Sequence, residues 1–222
     1  MAKIQPFPAT SSPAPAPSSS SPVVYTVWMK SLVFNGHGCT VYGSDGRVAF
    51  RVDNYGCRGS RHVFFMDAAG HTLISIQTKS FGMLKRWVAC RNHDDGDGDD
   101  GFGETTAAMA TAATPWFSVR RGKRRSGGGA MTATVTLHGG DGGRAAYRID
   151  GCPGKSEYRI VTGGGAGDGD AGEVVVAEVA RKKTASGVVL GEDVLTLTVG
   201  PDADHLLVLG LVVVCGLMNR SM

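Results

Sequence analysis

The sequence predicts a mainly β domain that is packed around one C-terminal hydrophobic helix. Two observations carry this prediction. About twelve short strand-like segments follow one another between residues 23 and 199, and residues 206–218 contain no polar side chain. The chain has 222 residues, of which 42% are hydrophobic, so a sizeable core is available to one large domain or two small ones.

The strand-like segments are rich in β-branched and aromatic residues and are separated by turn residues. Ser44-Asp45-Gly46 lies between two of them, and Asp-Gly between strands is typical of a β-hairpin. Ile74 and Ile76 alternate with polar residues, which indicates one buried and one exposed face. The predicted strands are residues 23–34, 39–42, 47–53, 61–67, 72–79, 85–91, 116–120, 131–137, 145–149, 156–162, 173–181 and 193–199.

Two of these segments are similar in sequence, and we call this similarity the internal echo. Residues 49–53 read AFRVD, and residues 146–150 read AYRID. Two similar half-barrels would produce this echo, and so would a chance likeness between β-strands.

The apolar segment 206–218 reads LLVLGLVVVCGLM and must be shielded from water, because a surface helix would show a polar face. Burial of its ten large side chains contributes about 15–30 kcal/mol gross. As a helix it would rise about 20 Å, short of the roughly 30 Å hydrocarbon core of a bilayer. Asp202 and Asp204 precede it and suit a helix start. We therefore predict a helix buried in protein. Its core residues are predicted to be Leu206, Leu207, Leu209, Leu211, Val213 and Leu217.

Charge, cysteine content and the N-terminal segment narrow the class of protein. The formal net charge is only +3, so bulk charge gives no strong attraction to nucleic acid or membrane. The five cysteines form no CxxC pair, which argues against a disulfide framework or zinc ribbon and favours a reducing compartment. Residues 1–22 are rich in Pro and Ser, lack the apolar region of a signal peptide, and predict a disordered tail before one domain at 23–222.

The motifs that would indicate catalysis or a metal site are incomplete. Gly154-Lys155-Ser156 ends like a P-loop, but Ile149 stands where the earlier glycine is needed. Within the acidic loop 94–103, the residues from Asp95 onward begin like an EF-hand, but Asp100 occupies the position of the required glycine. The six histidines form no HxxxH or HExxH pair. We therefore expect no enzyme activity, no cofactor and no bound metal.

Two basic clusters are the strongest surface features. The first places five cations in six residues, and the second places three in a row. The cations are Arg120, Arg121, Lys123, Arg124 and Arg125, followed by Arg181, Lys182 and Lys183. Cations beside an anionic leaflet contribute about 1 kcal/mol each. The same run suits a nuclear localisation signal or a solvated loop, and the lack of interleaved aromatic residues weakens a nucleic-acid interpretation.

Several segments resemble the LURP-one-related family of plants. They are residues 25–32 (YTVWMKSL), 46–55 (GRVAFRVDNY), 66–73 (MDAAGHTL), Arg86-Trp87 and 204–209 (DHLLVL). The resemblance implies a Tubby-like fold, in which a closed β-barrel of about twelve strands surrounds a C-terminal hydrophobic helix. It also implies similarity to phospholipid scramblases and an association of some members with plant defence. It supplies no catalytic residues.

Together, these features predict a non-enzymatic, monomeric Tubby-like barrel. We expect it to bind an anionic phospholipid or phosphoinositide headgroup, or a protein partner, in plant defence or stress signalling. Its expected location is cytoplasmic, with peripheral plasma-membrane or nuclear placement left open. Two alternatives are a membrane-tethered or nuclear transcriptional regulator, and a tail-anchored membrane protein with residues 206–218 in lipid.

Overall fold

The architecture is a closed antiparallel barrel with one helix. The computed structural model describes residues 21–30, 37–54, 62–81, 84–92, 115–122, 131–139, 144–152, 156–162 and 173–219. These residues form twelve strands and a C-terminal helix, which confirms the predicted fold class. Apart from its last two residues, the predicted N-terminal tail lies outside the described residues.

Each of the twelve predicted strands overlaps one strand of the barrel. The strands are β1 (Val23–Trp28), β2 (His37–Tyr42), β3 (Val48–Asn54), β4 (His62–Asp67), β5 (Thr72–Phe81), β6 (Leu84–Arg91), β7 (Pro115–Arg121), β8 (Met131–Leu137), β9 (Arg144–Cys152), β10 (Glu157–Thr162), β11 (Val175–Arg181) and β12 (Val194–Val199). The helix is α1 (His205–Asn219). The first predicted strand, residues 23–34, was too long. In the structure β1 ends at Trp28, and the next two residues, Met29 and Lys30, form a bend.

Sequential strands are neighbours all around the barrel, and β1 pairs with β12 to close it. Because every neighbouring pair is antiparallel, all odd-numbered strands begin at one end of the barrel and finish at the other. We call the end at which β1 starts and α1 begins the upper end. The opposite end, where α1 finishes, is the lower end.

The interior of the barrel is filled by α1. Leu209, Leu211 and Val214 are completely buried and share one core cluster with inward-facing strand residues such as Phe117 and Leu197. The other predicted core positions of α1 differ slightly: Leu207 and Val213 are buried, whereas Leu206 and Leu217 are partly exposed near its two ends. Since the side chains of α1 already contact protein, this placement argues against the tail-anchor alternative. Among helices in the described residues, none is long and apolar enough to cross a membrane.

A glycine in α1 permits close packing against the barrel wall. A Cβ atom added at Gly210 would lie 3.0 Å from Cζ of Phe117 and 3.4 Å from Cδ1 of Ile74. A mid-helix glycine costs about 1 kcal/mol relative to alanine, and here its missing side chain leaves room for the aromatic ring. α1 is therefore fitted to β5 and β7 as well as buried by them.

Polar contacts fix the start of α1 at the upper end. The backbone N–H of Leu207 donates to Oδ1 of Asp204 at 3.0 Å, the arrangement of an N-cap. Arg91 at the end of β6 donates to Oδ2 of Asp204 at 3.2 Å, and its guanidinium lies 4.0 Å from the ring centroid of Trp116. The upper end is therefore occupied by groups that hold the helix in register with the wall.

The seam between the first and last strands is fastened by Asp193 at the lower end. Its carboxylate accepts a hydrogen bond from Nε1 of Trp28 at 3.2 Å and pairs with Nζ of Lys30 at 3.0 Å. Its carbonyl oxygen accepts from the backbone N–H of Met29 at 2.8 Å. The hydrogen bond from Lys30 is the main reason that the pKa of Asp193 is lowered.

The echoed segments lie on β3 and β9, which are six strands apart in the twelve-stranded barrel. In β3, Arg51 Nε lies 3.6 Å from Oδ2 of Asp53. In β9, Arg148 Nε lies 2.6 Å from Oδ2 of Asp150. An Arg–Asp pair thus occupies the same place in both segments, although only the β9 pair is within hydrogen-bond distance. The position of the two strands on opposite sides of the barrel fits the half-barrel interpretation.

Replacement of Leu211 by lysine tests the buried position of α1. Leu211→Lys places an unpaired charge in the apolar interior and should prevent folding. The milder Leu211→Ala should fold and lose about 2–5 kcal/mol of unfolding free energy in denaturant titrations. Val24, 45% exposed on the outer wall, provides the control, and Val24→Lys should change stability by less than about 0.5 kcal/mol. A cooperatively folded Leu211→Lys variant would contradict the buried helix.

Removal of the Asp193 charge tests the seam through its pH dependence. Because the pKa of Asp193 is lower in the folded protein, its stabilisation is complete above the ordinary value of 3.8 and is lost as the pH falls through the folded-state value. Asp193→Asn should therefore lower Tm at neutral pH, and the deficit should shrink as the pH falls below 3.8 and through the folded-state pKa. Asp202→Asn, at an exposed turn position, is the control. A pH-independent deficit would show that the seam does not depend on this charge.

Candidate functional site

The barrel topology brings the two basic clusters to the same end. Arg120 and Arg121 finish β7, and Arg181 finishes β11. Both strands are odd-numbered, so both finish at the lower end. Lys182 and Lys183 follow β11 directly and lie at this end as well. The remaining members of the first cluster, Lys123, Arg124 and Arg125, lie outside the described residues.

Three cations form a row across the outer face near the lower end. Lys79 on β5 is opposite Arg86 on β6, which is opposite Arg120 on β7. The neighbouring Trp87 and Val119 are buried in the barrel, so the row faces outward, and all three of its members are exposed. Like charges directly opposite each other on a sheet destabilise it. This cationic row (Lys79, Arg86, Arg120) therefore opposes folding stability unless an anion is present.

The cationic row lines a groove of about 550 Å³ on the outside of the barrel. The groove also contains Lys85, Ser80 and His138, and Nε2 of His138 lies 2.9 Å from Oγ of Ser118. We call these residues and the row the cationic groove. None of the ion pairs found among the described residues involves the row or Lys85. Such a groove can bind a phosphate group, because guanidinium groups match its oxygens in pairs.

The members of the second cluster are not gathered into one site. Arg181 pairs with Glu192 across the turn before β12, with 3.6 Å between Nη2 and Oε1. Lys182 donates a hydrogen bond to the hydroxyl of Thr26 on β1. Lys183 is exposed on the segment that connects β11 to β12. Two of these three predicted binding residues therefore contact other parts of the barrel.

Sequence reasoning missed Lys79, Lys85 and Arg86, although they line the groove. Lys79 stands alone on β5, and Lys85 and Arg86 form only a pair on β6, so none of them belongs to a basic run as long as the two clusters. The signal that could have found them is the tight connection between β5 and β6. Phe81 pairs with Leu84 beside this connection, and counting two pairs back along both strands places Lys79 opposite Arg86.

A second groove, on the outside of β9, β10 and β11, carries the opposite charge. Its volume is about 590 Å³, and its lining includes Asp150, Glu157, Glu173 and Glu178. Arg159 lies between Asp150 and Glu178 in the strand register and offsets part of this charge. The larger of these two grooves is therefore unsuited to an anion, and the cationic groove is the better candidate.

The cysteines whose side chains are described in the structure are buried and unsuited to nucleophilic chemistry. Cys39 and Cys215 are buried in the core, and burial raises the pKa of each thiol to about 12. Burial also raises the pKa of Tyr158, beside Cys215. A thiol in this environment stays protonated at neutral pH and is a poor nucleophile. Within the described ranges, no group of three or more His, Cys, Asp or Glu side chains is arranged to hold a metal ion.

Comparison with known structures supports the barrel architecture. An X-ray structure of an Arabidopsis thaliana protein superposes with a TM-score of 0.56, over 90% of this chain and 93% of that chain. The sequence identity is 18%, so this likeness concerns the fold.

Comparison with known sequences is more specific. A family model described as LURP-one-related matches residues 23–216. The Arabidopsis thaliana protein LURP-one-related 11 is 32% identical over 202 residues, which are 88% of this chain and 77% of that protein. LURP-one-related 8 from the same plant is 30% identical over 227 residues, with full coverage (100%) of both chains. These names are not names of enzymes. The match spans most of the barrel, and the chain belongs to the LURP-one-related family.

Proposed function

We propose that this protein binds phosphate-bearing lipids of an anionic membrane through its cationic groove, with the lower end of the barrel facing the bilayer. The observation that carries the proposal is the cationic row, in which three exposed cations stand side by side with no ion pair among the described residues. We further propose a non-enzymatic role in defence or stress signalling, which is supported only by the family resemblance.

The electrostatics of the row favour an anionic ligand. Its members repel one another across strand-pair distances, and this repulsion would be relieved by a group with two negative charges. A phosphomonoester on a lipid headgroup has this charge and offers three oxygens as hydrogen-bond acceptors. His138 and Ser80 supply further polar groups in the same groove.

The arrangement of the other cations favours a membrane over a free anion. Lys30 after β1, Arg121 at the end of β7 and Lys183 after β11 are exposed at the same end of the barrel, and Lys30 is also paired with Asp193. A small anion would contact only the groove. A charged leaflet would also attract the surrounding cations, at about 1 kcal/mol for each one near the surface. Glu192 and Asp193 at this end are paired with Arg181 and Lys30, and Asp150 is paired with Arg148. Glu157, exposed at the start of β10, lies at the same end and reduces the attraction.

Charge reversal in the row tests this proposal. Arg120→Glu should weaken binding to phosphatidylcholine vesicles that contain phosphatidylinositol bisphosphate by roughly tenfold or more, measured by co-sedimentation. Arg47→Glu makes the same change in net charge at an exposed turn of the upper end and should bind like the wild type. Binding of the wild type should fall as salt is raised.

Two outcomes would contradict the proposal. One is equal vesicle binding by the wild type and Arg120→Glu, which would remove the groove from the site. The other is equal binding of the wild type to anionic vesicles and to vesicles of phosphatidylcholine alone. Arg47→Glu should keep the wild-type Tm, because Arg47 is exposed at a turn outside the core. Arg120→Glu should keep or raise it, because the change replaces repulsion in the row by an attraction to Arg86.

A further inference from the structure

A small hairpin projects from the lower end between β11 and β12. The backbone N–H of Leu190 donates to the carbonyl of Lys182 at 2.9 Å, and that of Thr184 donates to the carbonyl of Val188 at 2.8 Å. Gly187 makes the turn with a φ of +84°, a left-handed conformation that favours glycine. We call residues 182–190 the lower hairpin. Its hydrogen bonds give it a defined shape outside the barrel wall.

The returning strand of the lower hairpin exposes three consecutive apolar side chains. Val188 is 61% exposed, Val189 is 42% exposed and Leu190 is 50% exposed. Neighbouring residues on an extended strand point to opposite faces, so both faces of the hairpin carry apolar groups. A protein partner that docked on one face would leave the other in water. A fluid lipid interface can surround both.

Cationic and aromatic groups accompany this apolar tip. Lys183 is exposed and bridges to Val189, so the two side chains share one face of the hairpin. Lys30 and the half-buried Trp28 lie at the same end, joined through Asp193 to the start of β12. Lysine beside apolar groups and tryptophan at the edge suit the headgroup region, since each has an apolar part and a polar tip.

We infer that the lower hairpin inserts Val188, Val189 and Leu190 into the boundary between the headgroups and acyl chains of an anionic bilayer. This inference rests on the proposed function, which brings the lower end to the membrane through charge. The hairpin adds an apolar contribution that salt does not screen. The bound state therefore has a fixed orientation, with α1 finishing on the membrane side of the barrel.

A fluorescent label measures the insertion directly. An environment-sensitive dye is attached at Val188→Cys in a Cys57→Ser, Cys152→Ser background, because the other cysteines are buried. Phosphatidylcholine vesicles with phosphatidylinositol bisphosphate should shift its emission to the blue, and nitroxide on the lipid chains should quench it. A dye at Val24→Cys, an exposed valine at the upper end, should respond to neither. A dye at position 188 that stays in water would overturn the inference.

A charge at the tip provides an independent test. Val188→Asp should weaken binding to the same vesicles by roughly tenfold, and Val24→Asp should leave it unchanged. Unchanged binding by Val188→Asp, together with weakened binding by Arg120→Glu, would reject the hairpin and keep the cationic groove. Absence of wild-type binding to these vesicles would reject both. A wild-type dimer that Val188→Asp converts to monomer would show that the apolar tip contacts a second copy, and this would also reject the inference.

Discussion

The rest of the structure depends on the burial of a helix that has no polar side chain between its first and last residues. α1 has no polar face, so it needs apolar contacts on all sides, and the closed wall of twelve strands supplies them. The wall in turn needs α1, because an empty barrel of this size would lose the contacts of its inward-facing side chains. The contact of Gly210 with Phe117 and the N-cap at Asp204 show that helix and wall are matched in shape and in register. Neither part has an alternative way to bury its apolar surface.

Barrel closure also determines where charge is found. In an antiparallel barrel, consecutive strands run in opposite directions. All odd-numbered strands therefore finish at the same end of the barrel, and residues that are distant in sequence meet there. At the upper end, polar groups hold the start of α1. At the lower end, Lys79, Arg86 and Arg120 instead form a row of like charges that opposes folding stability. The lower end therefore combines the Asp193 seam, which stabilises the barrel, with a row of like charges that suits an anionic partner.

The sequence predicted the number of strands and the buried helix, because both depend on local patterns: apolar alternation, turn residues and an uninterrupted apolar run. Its error at β1 arose because Leu32, Val33 and Phe34 continue the apolar run of the strand in the sequence. In the structure β1 ends at Trp28, and the backbone of Met29 is hydrogen-bonded to Asp193 in the seam. The basic runs were visible for the same local reason. The groove was not visible in the sequence, because Lys79 and Arg86 come together only through strand pairing. The contacts of Arg181 with Glu192 and of Lys182 with Thr26, which separate these residues from the predicted site, were not visible either. Pairing across strands is a tertiary property that composition does not encode.

Native-state hydrogen exchange tests most directly whether α1 and the barrel form one unit. If helix and wall depend on each other, the amides of residues 209–216 should exchange with the same free energy as those of β7 and β12, and that value should equal the global free energy of unfolding. Denaturant should lower all three sets together. Exchange of the α1 amides at a clearly lower free energy, while the strand amides stay protected, would show that the barrel stands without its helix and would contradict this account.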